Sequence, residues 1–388
     1  MNRSLRRQAA NRWFGARWLI AGGLLASLGG CTALGSLAYY WQSAHGHLAL
    51  MQAARPVDDW LQDPAASARL KARLALAQEI RAFAVSELHL PENASYRRYA
   101  DLQRPAAVWN VVAAPERSLK LEQWCFPVAG CVAYKGFFNE ADAQAEAAPL
   151  RLQGLDVSVY PVPAYSTLGW LNWAGGDPLL NTFIGYPDGE LARLIFHELA
   201  HQVVYAEDDS TFNESFATAV ERLGGARWLA RQASPAARDE FARHEARRQQ
   251  FRALALQLRS ELEALYGEGQ AQAPQRAQAA LPAGLTSPTG SAVLQRALKA
   301  QAFETFRQRY AELKAQWGGY AGYDPWVARA NNASLGAMAT YDELVPGFEA
   351  LFESQGRDWP RFYTAVRQLA ALPKLGRHAA LKLHAAGS

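Results

Sequence analysis

Cysteine is scarce in this chain, with three in 388 residues. Cys31 closes an N-terminal apolar run, which leaves Cys125 and Cys131 in "WCFPVAGC". Their spacing is wider than a zinc knuckle and no third ligand lies nearby, which argues against metal binding by this pair. In an oxidising compartment the two can close a small loop as a disulfide; otherwise they are two buried thiols. Phosphate-cradling loops are also lacking: no P-loop and no G-x-G-x-x-G follows a strand-like run, which argues against a nucleotide. Acid is missing from residues 1–30, which hold Arg3, Arg6, Arg7, Arg12 and Arg17. The formal charge of +4 therefore belongs to the N-terminus. Without those arginines the chain carries 35 basic and 36 acidic residues, and such a body has no bulk electrostatic reason to bind nucleic acid.

What is present at the N-terminus reads as a targeting signal. The Arg-rich segment leads into "WLIAGGLLASLGGC", a short apolar run ending in small residues. "LGGC" resembles the lipobox of bacterial lipoproteins, which implies cleavage after residue 30 and lipidation of Cys31. An uncleaved anchor is the alternative, because apolar character persists through "TALGSLAYYW". Either way the body is expected to face the periplasm, tethered to a membrane. Thr32 after the cysteine favours the outer membrane by the sorting habit of such lipoproteins.

Half of the residues are hydrophobic, enough for a large core. "LALMQAARPVDDWLQD" and "ASARLKARLALAQEIRAFAVSELHL" read as helices. The runs "AAVWNVVAAP", "CVAYKGFF" and "LDVSVYPVPAY" read as strands, with "NEADAQAEAAPLRLQ" helical between the last two. From Asp188 onward helices are expected at about 188–206, 212–224, 227–267, 291–317, 332–354 and 358–371. The Ala/Gln/Pro-rich segment near 268–290 has no apolar period and reads as an excursion between helices. The expected class is α+β, mainly α. Residues 31–187 carry N-terminal helices and a small mixed or antiparallel sheet, and residues 188–388 a helical half, joined near 188.

The chemistry concentrates in "RLIFHELAHQVVYAEDDSTFNESFATAVERLGG". Helical spacing puts His197 and His201 one turn apart on one face, able to offer two imidazoles to one ion. Glu198 lies about 100° around the helix from His197, where it reaches a bound water rather than the metal. This is the logic of H-E-x-x-H: two ligands and a general base from one helical turn. The helix is apolar nearly all round, so its polar groups need a partner that offsets desolvation. A second helix, capped by Thr211 or Asn213, runs back antiparallel and brings Glu214 to face His201. Glu207 competes for the third ligand position, but Val204 stands where the necessary glycine turn would be. Asp208 and Asp209 read as solvated or capping residues. Three ligands and one open position define a catalytic Zn²⁺ site, with one ion. The same ligands would also suit a structural zinc clip, although that needs no Glu198, or zinc hydrolysis of another bond.

The stretch "LIFHELAHQVVYAEDDSTFNESFATAVER", with "WCFPVAGCVAYKGFF", "PAYSTLGWL" and "NNASLGAMATYDELVPGFEALF", resembles the proteobacterial lipoprotein family described as aminopeptidases. The resemblance implies a zincin-like fold in which the active helix borders both halves. It also implies a peptide substrate and a gluzincin-like Glu ligand. "NESFA" is similar to the N-E-G-F-A of large zinc aminopeptidases, but those enzymes separate the second His from the Glu by a longer segment. For the oxyanion donor, Tyr341 is the first candidate and Tyr165 the second; each could equally be a core tyrosine. An extended substrate is expected to pair with an edge near Ala164–Gly169, including Tyr165 and Ser166, unless that segment is a packed loop. Asn331 and Asn332 read as helix caps. His45, His47, His89, His244, His378 and His384 read as surface or structural residues.

Overall fold

The computed structural model describes residues 38–126, 130–169, 172–267, 288–340 and 343–386. The signal segment with Cys31, most of the Ala/Gln/Pro-rich excursion, and Tyr341 lie outside the described residues. Two compact units are defined, one ending at Gln52 and one beginning at Ala53. The first contributes most of a helix over 38–53, α1. No helix among the described residues is long and apolar enough to cross a membrane.

The second unit opens with β1 (Arg55–Pro56), α2 (Val57–Gln62), α3 (Ala68–Leu88) and β2 (Arg98–Ala100). "LALMQAARPVDDWLQD" is thus not one helix, because Pro56 fixes an extended turn between α1 and α2. Then come β3 (Val108–Ala114), β4 (Trp124–Phe126), β5 (Gly130–Val132), β6 (Lys135–Phe137), α4 (Glu140–Leu152), β7 (Asp156–Val162) and β8 (Leu179–Leu180). The helical half follows: α5 (Asp188–Ala200), α6 (Ser210–Arg231), α7 (Pro235–Tyr266), α8 (Pro288–Gln316), α9 (Asp324–Ala328), α10 (Asn332–Thr340), α11 (Val345–Ser354), α12 (Trp359–Ala370) and α13 (Lys374–Ala386). The class is α+β, mainly α, as the sequence pattern implied.

Among the described residues three small sheets form. The largest runs β6–β3–β7 and is antiparallel throughout, with β3 buried at its centre and β7 at its edge. β1–β2–β8 is mixed, β2 pairing parallel to β8. β4 and β5 make a hairpin in which Cys125 stands opposite Cys131, and the two form a disulfide.

Two departures in the helical half have clear causes. The expected break near Gly224–Gly225 does not occur, and α6 runs through to Arg231. A Cβ at Gly224 would lie 2.6 Å from Leu88 Cδ1, and one at Gly225 2.9 Å from Arg193 Cγ. The pair therefore permits close helix packing and does not mark a stop. Conversely, the expected helix 332–354 divides into α10 and α11, the second starting with Pro346 in its first turn, where a missing N–H costs nothing. The unforeseen α13 crosses α11 at Gly347, where a Cβ would meet the Leu381 carbonyl at 2.4 Å.

Candidate metal centre and active site

α5 supplies the first half of the site. Its start is held by Arg73, which donates to the Ile184 carbonyl at 2.9 Å and pairs with Asp188 at 2.5 Å. Leu191, Ala192, Ile195, Phe196, Leu199 and Ala200 bury its apolar surface. That leaves Arg193, His197 and His201, at one-turn intervals, on the side facing α6. Partners confirm that α6 runs antiparallel: His201 meets Glu214, His197 meets both Glu214 and Glu221, and Arg193 meets Glu221.

The reversal between the helices is built from side chains. Asp209, not Thr211 or Asn213, is the cap of α6, accepting from the Phe212 amide at 3.2 Å. It is fully buried and also receives His378 at 2.9 Å, which gives that histidine its structural role. Asn213 donates to the Ala206 carbonyl at 2.8 Å and accepts from the Ala206 amide at 2.7 Å. The asparagine of "NESFA" thus locks the short loop that delivers Glu214. Asp208 in turn accepts from the Cys131 amide at 2.5 Å, tying the disulfide hairpin to the same loop. Glu207 is exposed and is not in the ligand cluster.

His197, His201 and Glu214 converge as a group able to hold a metal ion. The two Nε2 atoms are 3.2 Å apart, and Glu214 Oε2 lies 3.3 Å from one and 3.6 Å from the other. Tetrahedral zinc with bonds of about 2.0–2.1 Å requires ligand atoms about 3.3–3.4 Å apart, so the triangle fits such an ion without rearrangement. The site's charge agrees. Burial disfavours a charged His197, yet its hydrogen bonds to Glu214 and Glu221 hold its pKa well above the ordinary value. Burial likewise opposes ionised Glu214, but the two histidines outweigh it and lower its pKa. The centre favours positive charge among carboxylates, which a divalent cation supplies in place of protons.

A chain of charges backs His197. Its Nδ1 meets Glu221 Oε2 at 3.0 Å. Arg193 donates to Glu221 and, at 2.9 Å, to Glu245; Arg248 joins Glu245 to Glu190. Burial pushes Glu221 upward, but the charge of Arg193 and the contact with His197 bring its pKa down to about 2. A carboxylate on the second imidazole nitrogen fixes the tautomer and orientation that metal ligation needs. His201 has no such partner on its buried Nδ1 among the described residues, and its ring is placed by burial and by its Nε2 contacts with His197 and Glu214. Sequence reading missed Glu221, although it falls seven residues after Glu214, two turns along the same helix face.

Glu198 is half-buried beside the ligands. Its charge reaches Asp177, a buried carboxylate that organises the neighbouring loop. Asp177 accepts from the Thr167 amide at 3.0 Å, the Thr167 hydroxyl at 2.8 Å and the Ser166 hydroxyl at 3.3 Å. Gln202, next to His201, receives Asn93 at 2.7 Å and donates to Ser95 at 3.2 Å. Ala164–Gly169 is therefore a packed loop rather than an edge strand, with Ala164 buried and Tyr165 against Phe138 at 5.0 Å. The edge itself is β7. Tyr134 and Tyr160 form part of the wall around Glu214. Burial, with Glu214 adding to it, raises both phenols, Tyr160 to about 12. Both phenols are thus neutral beside Glu214, whereas sequence reading weighed only Tyr341 and Tyr165 as oxyanion donors.

A histidine pair and a glutamate from two antiparallel helices, with the Glu198 carboxylate one residue after the first histidine, make a group that could hold a metal ion. Over residues 38–381 the chain matches the family described as "Putative aminopeptidase". It belongs to that family. No curated protein and no solved structure matches it.

Proposed function

We propose that the protein is a zinc-dependent peptidase of the bacterial envelope. The carrying observation is the ligand triangle of His197, His201 and Glu214 with Glu198 beside it. Membership of an aminopeptidase family supports peptide hydrolysis. The lipobox-like "LGGC" supports lipidation at Cys31 and a periplasm-facing tether, and Thr32 supports the outer membrane.

His197, His201 and Glu214 would hold the zinc ion. When bound, zinc polarises the scissile carbonyl and acidifies a water. Glu198 takes the proton of the attacking water and passes it to the leaving amine. Glu221 keeps His197 in the tautomer that presents Nε2 to the centre. The neutral phenols of Tyr134 and Tyr160 are placed to donate to negative charge developing on the substrate oxygen.

The test is cleavage of a peptide library by the purified protein and by Glu198→Gln, with metal content measured for both. Loss of cleavage by at least about a thousandfold with zinc retained is expected, since the base is removed and the ligands are not. Zinc in both proteins with no Glu198-dependent cleavage in either would refute peptidase activity. Stepwise removal of residues from free N-termini would establish the aminopeptidase mode.

A further inference from the structure

A cleft of about 270 Å³ lies where the edge strand β7 faces α9 and α10. Its walls are Tyr160, Pro161, Trp326, Ala337 and Met338, with Ser158, Ser334 and Arg329. This is somewhat below the roughly 300–1,000 Å³ of pockets that take drug-sized ligands, and suits a single residue. Tyr160 and Ala337 also line the crevice that contains Glu214, so the cleft and the metal centre share a wall.

Two features indicate what it holds. First, β7 is an edge strand among the described residues. Asn331 Nδ2 donates to the Val157 carbonyl at 3.0 Å, so that carbonyl faces away from β3. By strand alternation Val159 and the Pro161 carbonyl face the same way. No further strand pairs with β7 among the described residues. Beyond the carbonyl that Asn331 takes, an extended peptide can align near Pro161 by strand addition. Second, among the described residues the one charged group lining the cleft is Arg329. It is exposed and pairs with no carboxylate among the described residues. Guanidinium beside Trp, Met and Pro fits a ligand that is apolar in its body and carries a carboxylate at its edge.

We infer that this cleft is a substrate subsite for an apolar or aromatic residue next to a carboxylate, the carboxylate being bound by Arg329. The carboxylate belongs either to the C-terminus of a short peptide or to an adjoining Asp or Glu side chain. Resting on the peptidase reading, the subsite gives it a substrate class: short or acidic peptides with an apolar residue at this position.

Binding separates this inference from catalysis. Calorimetry on the Glu198→Gln protein uses a short peptide with a Phe terminus as free acid and as C-terminal amide, then internal Phe-Glu against Phe-Gln, both amidated. Affinity about tenfold higher for one of the carboxylate forms is expected, and which pair shows it identifies the source. Arg329→Ala should bring that ratio to about one and Arg329→Lys should restore part of it. Met338→Trp should weaken both forms by filling the cleft. Carboxylate-selective, Arg329-dependent binding without cleavage in the wild type would keep the subsite and refute the peptidase reading. Cleavage by the wild type with equal affinities for all forms, or preference untouched by Arg329→Ala, would overturn the subsite alone. Neither binding nor cleavage would overturn both.

Discussion

Replacing Glu221 tests how much of the metal centre lies behind its ligands. Its carboxylate touches His197 Nδ1 at 3.0 Å through one oxygen and the Arg193 guanidinium through the other. In Glu221→Ala all three ligands remain, but His197 loses the group that fixes its tautomer. Removal of such a partner lowers metal affinity about 10–100-fold, or about 1.4–2.7 kcal/mol. Arg193 is 7% exposed at its side chain and keeps Glu245, so its loss of one partner adds a metal-independent cost. The two effects separate by linkage. Zinc stabilises the folded state in proportion to its affinity, so the zinc-dependent increment of unfolding free energy should shrink by the same 1.4–2.7 kcal/mol. Denaturant unfolding with chelator and at fixed free zinc, together with competition against a chromophoric chelator, measures both quantities. Glu221→Gln, which keeps a hydrogen-bond acceptor, should fall between wild type and Glu221→Ala. Unchanged zinc affinity in Glu221→Ala would refute the reasoning, even if the apo protein were less stable.

Asp177 gives a pH signature of opposite sign to ordinary acid unfolding. Burial, opposed by the Thr167 hydrogen bonds and reinforced by Glu198, raises its pKa from 3.8 to about 6. Its ionised form therefore costs stability, about 3 kcal/mol above pH 6, and that cost disappears as pH falls towards 4. The stability of wild type relative to Asp177→Asn should rise by up to that amount between pH 7 and pH 4, and a difference independent of pH would contradict it. The Cys125–Cys131 disulfide closes a loop with a sequence separation of 6. Chain entropy assigns it about 2 kcal/mol. Cys125→Ser/Cys131→Ser should lose that much in denaturant melts and show faster amide exchange at Asp208–Asp209, the loop it braces; unaltered exchange there would count against the bracing.

The site was legible where its chemistry is local. His197, Glu198 and His201 occupy one helical turn, and Glu214 follows closely enough that a helical reversal must bring it back. What could not be read depends on which helix faces which. Arg193 and Glu221 are ordinary charges on two helices until packing joins them, and Arg248, Glu245 and Glu190 extend the chain to α7. Gly224–Gly225 looked like a stop because a glycine pair costs helix propensity, but close contact with Leu88 and Arg193 needs the missing side chains. Ala164–Gly169 follows the edge strand in sequence, yet the buried Asp177 draws the Thr167 amide and the Ser166 and Thr167 hydroxyls inward.

The most direct test is the zinc content of the purified protein, measured by plasma mass spectrometry for wild type and His201→Ala. One zinc per chain in the wild type and its loss in the variant, with the fold retained by circular dichroism, are expected. A wild-type protein that remains metal-free after exposure to micromolar zinc would contradict the metal centre and the mechanism built on it.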